Sequence, residues 1–136
     1  MPFITKQFKF CAAHKYWNDA WDKDQNYKIF GDDIKVHGHN YILDITITGP
    51  IDKDSGFIFC IQELKNIVRN NVLKILDHSQ IQEDIPWFAG KQPSTEHLVT
   101  FIWEQIAPRI ARPAKLHKIK LRETPTIFTE YFGPGE

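Results

Sequence analysis

The sequence predicts an α+β domain in which two helices cover one face of an antiparallel sheet. Three observations carry this. Apolar and polar residues alternate in two stretches of the first third of the chain, apolar stripes recur at helical spacing in its middle, and two short strand-type segments lie close to its end.

From Phe3 to Cys11, Phe8 and Phe10 alternate with Gln7 and Lys9, the pattern of a half-buried strand, which runs directly into Ala12-Ala13-His14. Residues 36 to 48 read as a second strand, with His37, His39, Tyr41, Leu43, Ile45 and Ile47 on one face and Asp44, Thr46 and Thr48 on the other. The intervening segment from Lys15 to Lys35 has no sustained period and is expected to be a long loop holding Trp17, Trp21 and Tyr27. Turn formers over Gly49 to Gly56 lead into a short third strand, Phe57 to Cys60, closing a hairpin. Leu64, Ile67, Val68, Val72, Ile75 and Leu76 mark a helix over 62 to 76. A second helix starts after Pro93, with Ser94 as cap, Glu96 in the first turn and Leu98, Phe101, Ile102 and Ile106 as its stripe; Pro108 ends or bends it. Two strands follow, near 117 to 123 and 126 to 132.

At 136 residues the chain reads as a single domain, 1–136, with one core. Hydrophobic residues make up 42% and charged residues 25%, which excludes a disordered polyelectrolyte. Lys and Arg balance Asp and Glu at 17 each, so no field draws the protein to nucleic acid or to a membrane surface, and a small molecule is the expected partner. No apolar run reaches the roughly 20 residues of a spanning helix, and the N-terminus lacks a secretory core, so a cytoplasmic location is expected. Cys11 and Cys60 stand far apart outside any paired motif. They read as small buried hydrophobes, which leaves any metal to histidines and carboxylates.

The strongest local signal is His37-Gly38-His39. Alternate residues of a strand project from one face roughly 7 Å apart and can converge on one ion, with Gly38 leaving room between them. Imidazole nitrogen suits zinc, and a catalytic site needs three protein ligands and an open position, for which His14 at the end of the first strand is the natural third. The same spacing also arises without any metal. Asp77-His78 follows a helix stripe; the carboxylate can orient the imidazole for proton transfer, or the two can simply sit at a helix end. Glu123 falls in phase with Ile119 and Leu121, so either a carboxylate faces the core side and awaits a planar donor edge, or the strand has left the sheet by then. His97 and His117 read as partly exposed or core-edge histidines.

Phe10-Cys11-Ala12-Ala13-His14, Val36-His37-Gly38-His39-Asn40-Tyr41, Leu76-Asp77-His78, Pro93-Ser94-Thr95-Glu96 and Glu123-Thr124 together resemble the family of 6-pyruvoyl-tetrahydropterin and 6-carboxytetrahydropterin synthases, in the same order and over nearly the whole chain. The resemblance implies the tunnelling fold: a four-stranded antiparallel sheet backed by two helices, oligomerising into a barrel as a homo-oligomer, a hexamer made of two trimers. It implies that His14, His37 and His39 bind Zn2+, that Asp77 and His78 are a catalytic pair, and that Glu123 grips the amino-pyrimidinone edge of a pterin. Ser94, Thr95 and Glu96 match helix-start residues that approach the pterin, in the family from a neighbouring subunit.

Two departures stand out. The family's catalytic cysteine precedes the H-G-H motif, and here Phe30-Gly31-Asp32-Asp33-Ile34-Lys35-Val36 has none; Asp33 occupies the corresponding place. A free Asp titrates near 4 and a thiol near 8.5, a difference in basicity of roughly 6 kcal/mol, so Asp33 does not simply repeat the thiol's role. Cys60 stands where the family usually has Asp and is read as a packing change. The resemblance implies a zinc-dependent lyase acting on dihydroneopterin triphosphate, of the 6-carboxytetrahydropterin type in a queuosine or 7-deazaguanine pathway or of the 6-pyruvoyl type. With a carboxylate at position 33 the chain also resembles relatives, bearing Glu near this position, that cleave the side chain to give 6-hydroxymethyl-dihydropterin for folate synthesis, and a third reading is a zinc and pterin-binding protein without turnover.

Overall fold

In the computed structural model, which describes residues 1–135, one sheet carries four antiparallel strands in sequence order. They are β1 (Phe3–His14), β2 (His37–Thr48), β3 (Lys115–Thr124) and β4 (Ile127–Tyr131). Phe10, Ala12, Tyr41, Leu43, Ile45, Ile47, Leu116, Ile119 and Leu121 are buried on one face, so the period-two patterns of the strands set which side the helices cover. Among the described residues no helix is long and apolar enough to cross a membrane.

The first long helix, α2, begins as Ile61–Val68, widens into a π-helical stretch Arg69–Leu73 and closes as Lys74–Leu76. Its buried residues Leu64, Val68, Val72 and Leu76 recur every four positions, all fully buried. In an ideal α-helix each such step drifts about 40° around the axis, and the wider π turn takes up part of that drift and keeps the stripe on the core. The Asn71 side-chain amide donates to the Ile67 carbonyl in the same stretch, at 2.8 Å. Ile75, expected in the stripe, is instead exposed. The helix Thr95–Ile106 packs on β3 and β4, with the Ser94 hydroxyl accepting from the His97 N–H as the cap expected there.

Three expectations are corrected. Phe57 to Cys60 form no strand; the Asp52 carboxylate accepts from the Asp54 and Ser55 N–H groups and the Gly56 N–H bonds to the Asp52 carbonyl, a self-contained loop that leads to the helix. The segment from Lys15 to Lys35 is not all loop: it holds α1 (Lys23–Phe30), capped by Asp22, and a short 3₁₀ turn, Gly31–Ile34. Both cysteines are exposed, not buried.

Cys60 also has a positional role. It stands at the N-cap of α2 in extended conformation and makes no side-chain cap bond. An Asp there would accept from the orphan N–H groups of the first turn. Cys60→Asp is therefore expected to stabilise the protein by about 1 kcal/mol, read as a rise of a few degrees in the thermal midpoint; an unchanged or lower midpoint would show that the cap geometry is wrong for it.

Candidate metal centre

Antiparallel pairing brings the end of β1, the start of β2 and the end of β3 to one end of the sheet. His14 lies directly opposite His37, and His39 opposite the small Ala12. On the far side of β2, pairing with β3 begins only at Ile42 and Arg122, and a bulge between Arg122 and Thr124 leaves Glu123 as the extra residue. Such a bulge re-aims a side chain. Here the Glu123 carboxylate turns onto the histidines: Oε1 lies 2.8 Å from His39 Nε2 and 3.5 Å from His14 Nε2. One ligand atom from each of His14, His37, His39 and Glu123 falls within 4.8 Å of the others.

The ring tautomers are set from outside the cluster. His14 Nδ1 donates to the buried Pro93 carbonyl and His37 Nδ1 to the Lys35 carbonyl, both at 2.8 Å. A carbonyl only accepts, so Nδ1 carries the hydrogen in both rings and Nε2 is left with a lone pair aimed inward. His14 is fully buried, and neither His14 Nε2 nor His39 Nε2 makes a hydrogen bond within the protein. Lone pairs converging beside a carboxylate repel one another unless a cation sits between them. Ligands at about 2 Å in a tetrahedron lie roughly 3.3 Å apart, and the observed separations, from 2.8 Å up to 4.8 Å, bracket that value. Three imidazole nitrogens with a carboxylate are a donor set suited to zinc.

Charge and burial act on the cluster in opposite senses. Glu123 is held below the usual carboxylate range, the His14 ring first among the causes, while burial opposes it. His39 is pushed below the usual imidazole range by burial, against the pull of Glu123. Both therefore favour the deprotonated, ligating forms near neutral pH. Two tyrosines that the strand pattern does not mark as functional border the cluster. Tyr41 is fully buried with an unpartnered hydroxyl. Burial first, then Glu123, pushes the phenols of Tyr16 and Tyr41 far above their usual range.

The remaining candidates are placed unevenly. Asp33, 59% exposed, brings Oδ1 to 3.7 Å from His37 Nε2. Ser94 and Thr95 start the helix next to the Pro93 carbonyl that holds His14 in the same chain; Thr95 is buried and bonds to Thr129 and Glu96. Asp77 and His78 pair at 2.9 Å, but no hydrogen bond or ion pair links them to the cluster among the described residues. They dock on the edge of β1, where the Cys11 N–H donates to Asp77 Oδ1 and the His78 N–H to the Cys11 carbonyl, leaving the His78 side chain 81% exposed. Gly38 points to the opposite face from its neighbours, and an added methyl would meet the Ala12 carbonyl oxygen at an ordinary 3.4 Å, so the histidines do not depend on its small size. Beside the cluster a cleft of about 540 Å³ opens where β2 outruns β3, lined by Gly38, His39, Asn40, Arg122 and Glu123.

The model of the 6-pyruvoyl tetrahydropterin synthase family matches residues 3–134. The chain is 34% identical to a 6-pyruvoyl tetrahydrobiopterin synthase of Drosophila melanogaster, over 98% of its own length and 81% of that protein. It is 27% identical to a dihydroneopterin monophosphate aldolase of Pyrococcus furiosus over 88% of each. The solved structure of Caenorhabditis elegans 6-pyruvoyl tetrahydropterin synthase superposes with a TM-score of 0.88 at 27% identity, covering 98% of both chains.

Proposed function

Because the chain belongs to the 6-pyruvoyl tetrahydropterin synthase family, we propose that it is a zinc-dependent lyase acting on dihydroneopterin triphosphate. The observation that carries this reading is the convergence of His14, His37 and His39, with the Nε2 lone pairs of His14 and His37 turned inward by the Pro93 and Lys35 carbonyls. Those three residues would hold the ion, and zinc, when bound, supplies a Lewis acid that lowers the pKa of hydroxyl groups brought to it.

The chain's own residues supply the rest. Glu123 borders the cleft and presents a carboxylate to the donor edge of the pterin, two parallel hydrogen bonds that fix the ring. Asp33, beside His37, is the carboxylate within reach of a proton on the substrate side chain. The reaction eliminates inorganic triphosphate with proton shifts along the side chain and needs no external oxidant. The Asp77–His78 pair is oriented for acid and base work but faces solvent in one chain, which suits a homo-oligomer, a hexamer in the family's pattern, in which it serves a neighbouring site.

The relatives' names favour the 6-pyruvoyl over the 6-carboxy product and give no support to a queuosine pathway. A second reading, cleavage of a side-chain carbon–carbon bond, draws on the carboxylate at position 33 in place of a thiol and on the similarity to an aldolase.

Asp33→Asn tests the role assigned to it. Turnover of dihydroneopterin triphosphate is expected to fall at least a hundredfold, the usual scale for losing a general base, while zinc content stays at the wild-type level. Equal turnover in wild type and variant would move the proton transfer to Asp32, to His78 or to a water molecule.

A further inference from the structure

The groups that surround the cluster are nearly all acceptors: imidazole lone pairs, Glu123 and Asp33. A substrate oxygen that gains negative charge as a neighbouring proton leaves requires a donor as well. Tyr16 follows His14 by two residues and is held beside it from several directions. Its N–H donates to the Asp33 carbonyl at 2.9 Å. Its ring stacks on Phe30 at 5.4 Å and 22°, with Trp21 packed on Phe30 at 5.9 Å, and rests against His14 at 5.0 Å and His37 at 6.4 Å. The Tyr16 hydroxyl makes no hydrogen bond to any described residue, although the ring that carries it packs against two of the three histidines. A phenol is protonated at neutral pH without any special environment, so this is a fixed ring with an unused donor beside acceptor groups. Tyr41 cannot substitute for it, because its hydroxyl is sealed in the core.

The geometry points to Tyr16 as a substrate-positioning residue, whose hydroxyl donates a hydrogen bond to an oxygen on the side chain of the bound pterin. The inference rests on the reading that a pterin with an oxygenated side chain binds at this cluster. Asp33 can only accept when ionised, so the phenol from the segment after β1 supplies the donor that the carboxylates and imidazole lone pairs lack.

The test is Tyr16→Phe, which keeps the ring and its stack and removes only the hydroxyl. Zinc content and calorimetric affinity are measured for the zinc-loaded wild type and variant with neopterin, which carries a hydroxylated side chain, and with unsubstituted pterin, which has none. The expected result is unchanged zinc, unchanged affinity for pterin, and affinity for neopterin reduced about tenfold. Equal neopterin affinity in both proteins overturns the inference and leaves the pterin reading standing. Loss of zinc, or equal loss of both ligands, assigns Tyr16 a purely structural role and also overturns it. Wild type that binds neither ligand overturns the pterin reading, and this inference with it.

Discussion

His37→Ala and His39→Ala are each expected to reduce bound zinc from about one per chain to near zero, measured by elemental analysis after dialysis. Three nitrogens at about 2.0 Å are the minimum for a filled catalytic zinc site, and two leave one too weak to survive dialysis. These two rings are better subjects than His14, which is fully buried and whose loss would also strand the Pro93 carbonyl. His117→Ala serves as the control. That ring stacks on Phe3 at the other end of the strand pair, and its removal should leave zinc untouched. Full zinc occupancy in either His37→Ala or His39→Ala would remove the metal centre from the account.

Glu123→Gln carries the second large effect, and it separates two roles that the geometry allows. Glu123 Oε1 lies 2.8 Å from His39 Nε2, close enough to serve as a fourth ligand, yet the residue also lines the cleft. A four-ligand zinc site is closed and structural, whereas three ligands and a free carboxylate leave a position open for substrate. The amide turns an acceptor into a donor facing the ring's own donors, at about 2 kcal/mol or more. Pterin affinity by calorimetry is therefore expected to fall roughly thirtyfold or more, with zinc retained. Loss of zinc together with pterin would identify Glu123 as a ligand and the site as a structural one.

Much of this architecture can be read from side-chain alternation. The inward parity of His37, His39, Tyr41 and Leu43 on β2, and of Ile119 and Leu121 on β3, follows from period two alone. The elements that escape sequence reading are those held by polar contacts. Helix Lys23–Phe30 has Asn26 as its one buried residue, whose amide bonds to the Asn18 backbone and to the Trp21 and Asp22 carbonyls, so no apolar stripe announces it. Phe57 and Ile58 imitate a strand, but the Asp52 loop has already used the backbone groups around them. The place of Glu123 among the histidines depends on a bulge, a register feature that local pattern does not encode. The tautomer-fixing carbonyls of Pro93 and Lys35 are likewise backbone groups without a side-chain signature; only the order of the chain in space brings Pro93 to His14.

The proposed function has the histidine cluster hold zinc and the chain break down a pterin triphosphate. The direct measurement is incubation of the purified, zinc-loaded protein with dihydroneopterin triphosphate, with products followed by mass spectrometry and released triphosphate by anion chromatography. Loss of substrate with stoichiometric release of inorganic triphosphate is expected, giving a 6-pyruvoyl pterin, and none of this with zinc-free protein or with His39→Ala. Substrate recovered intact from the zinc-loaded wild type would contradict it.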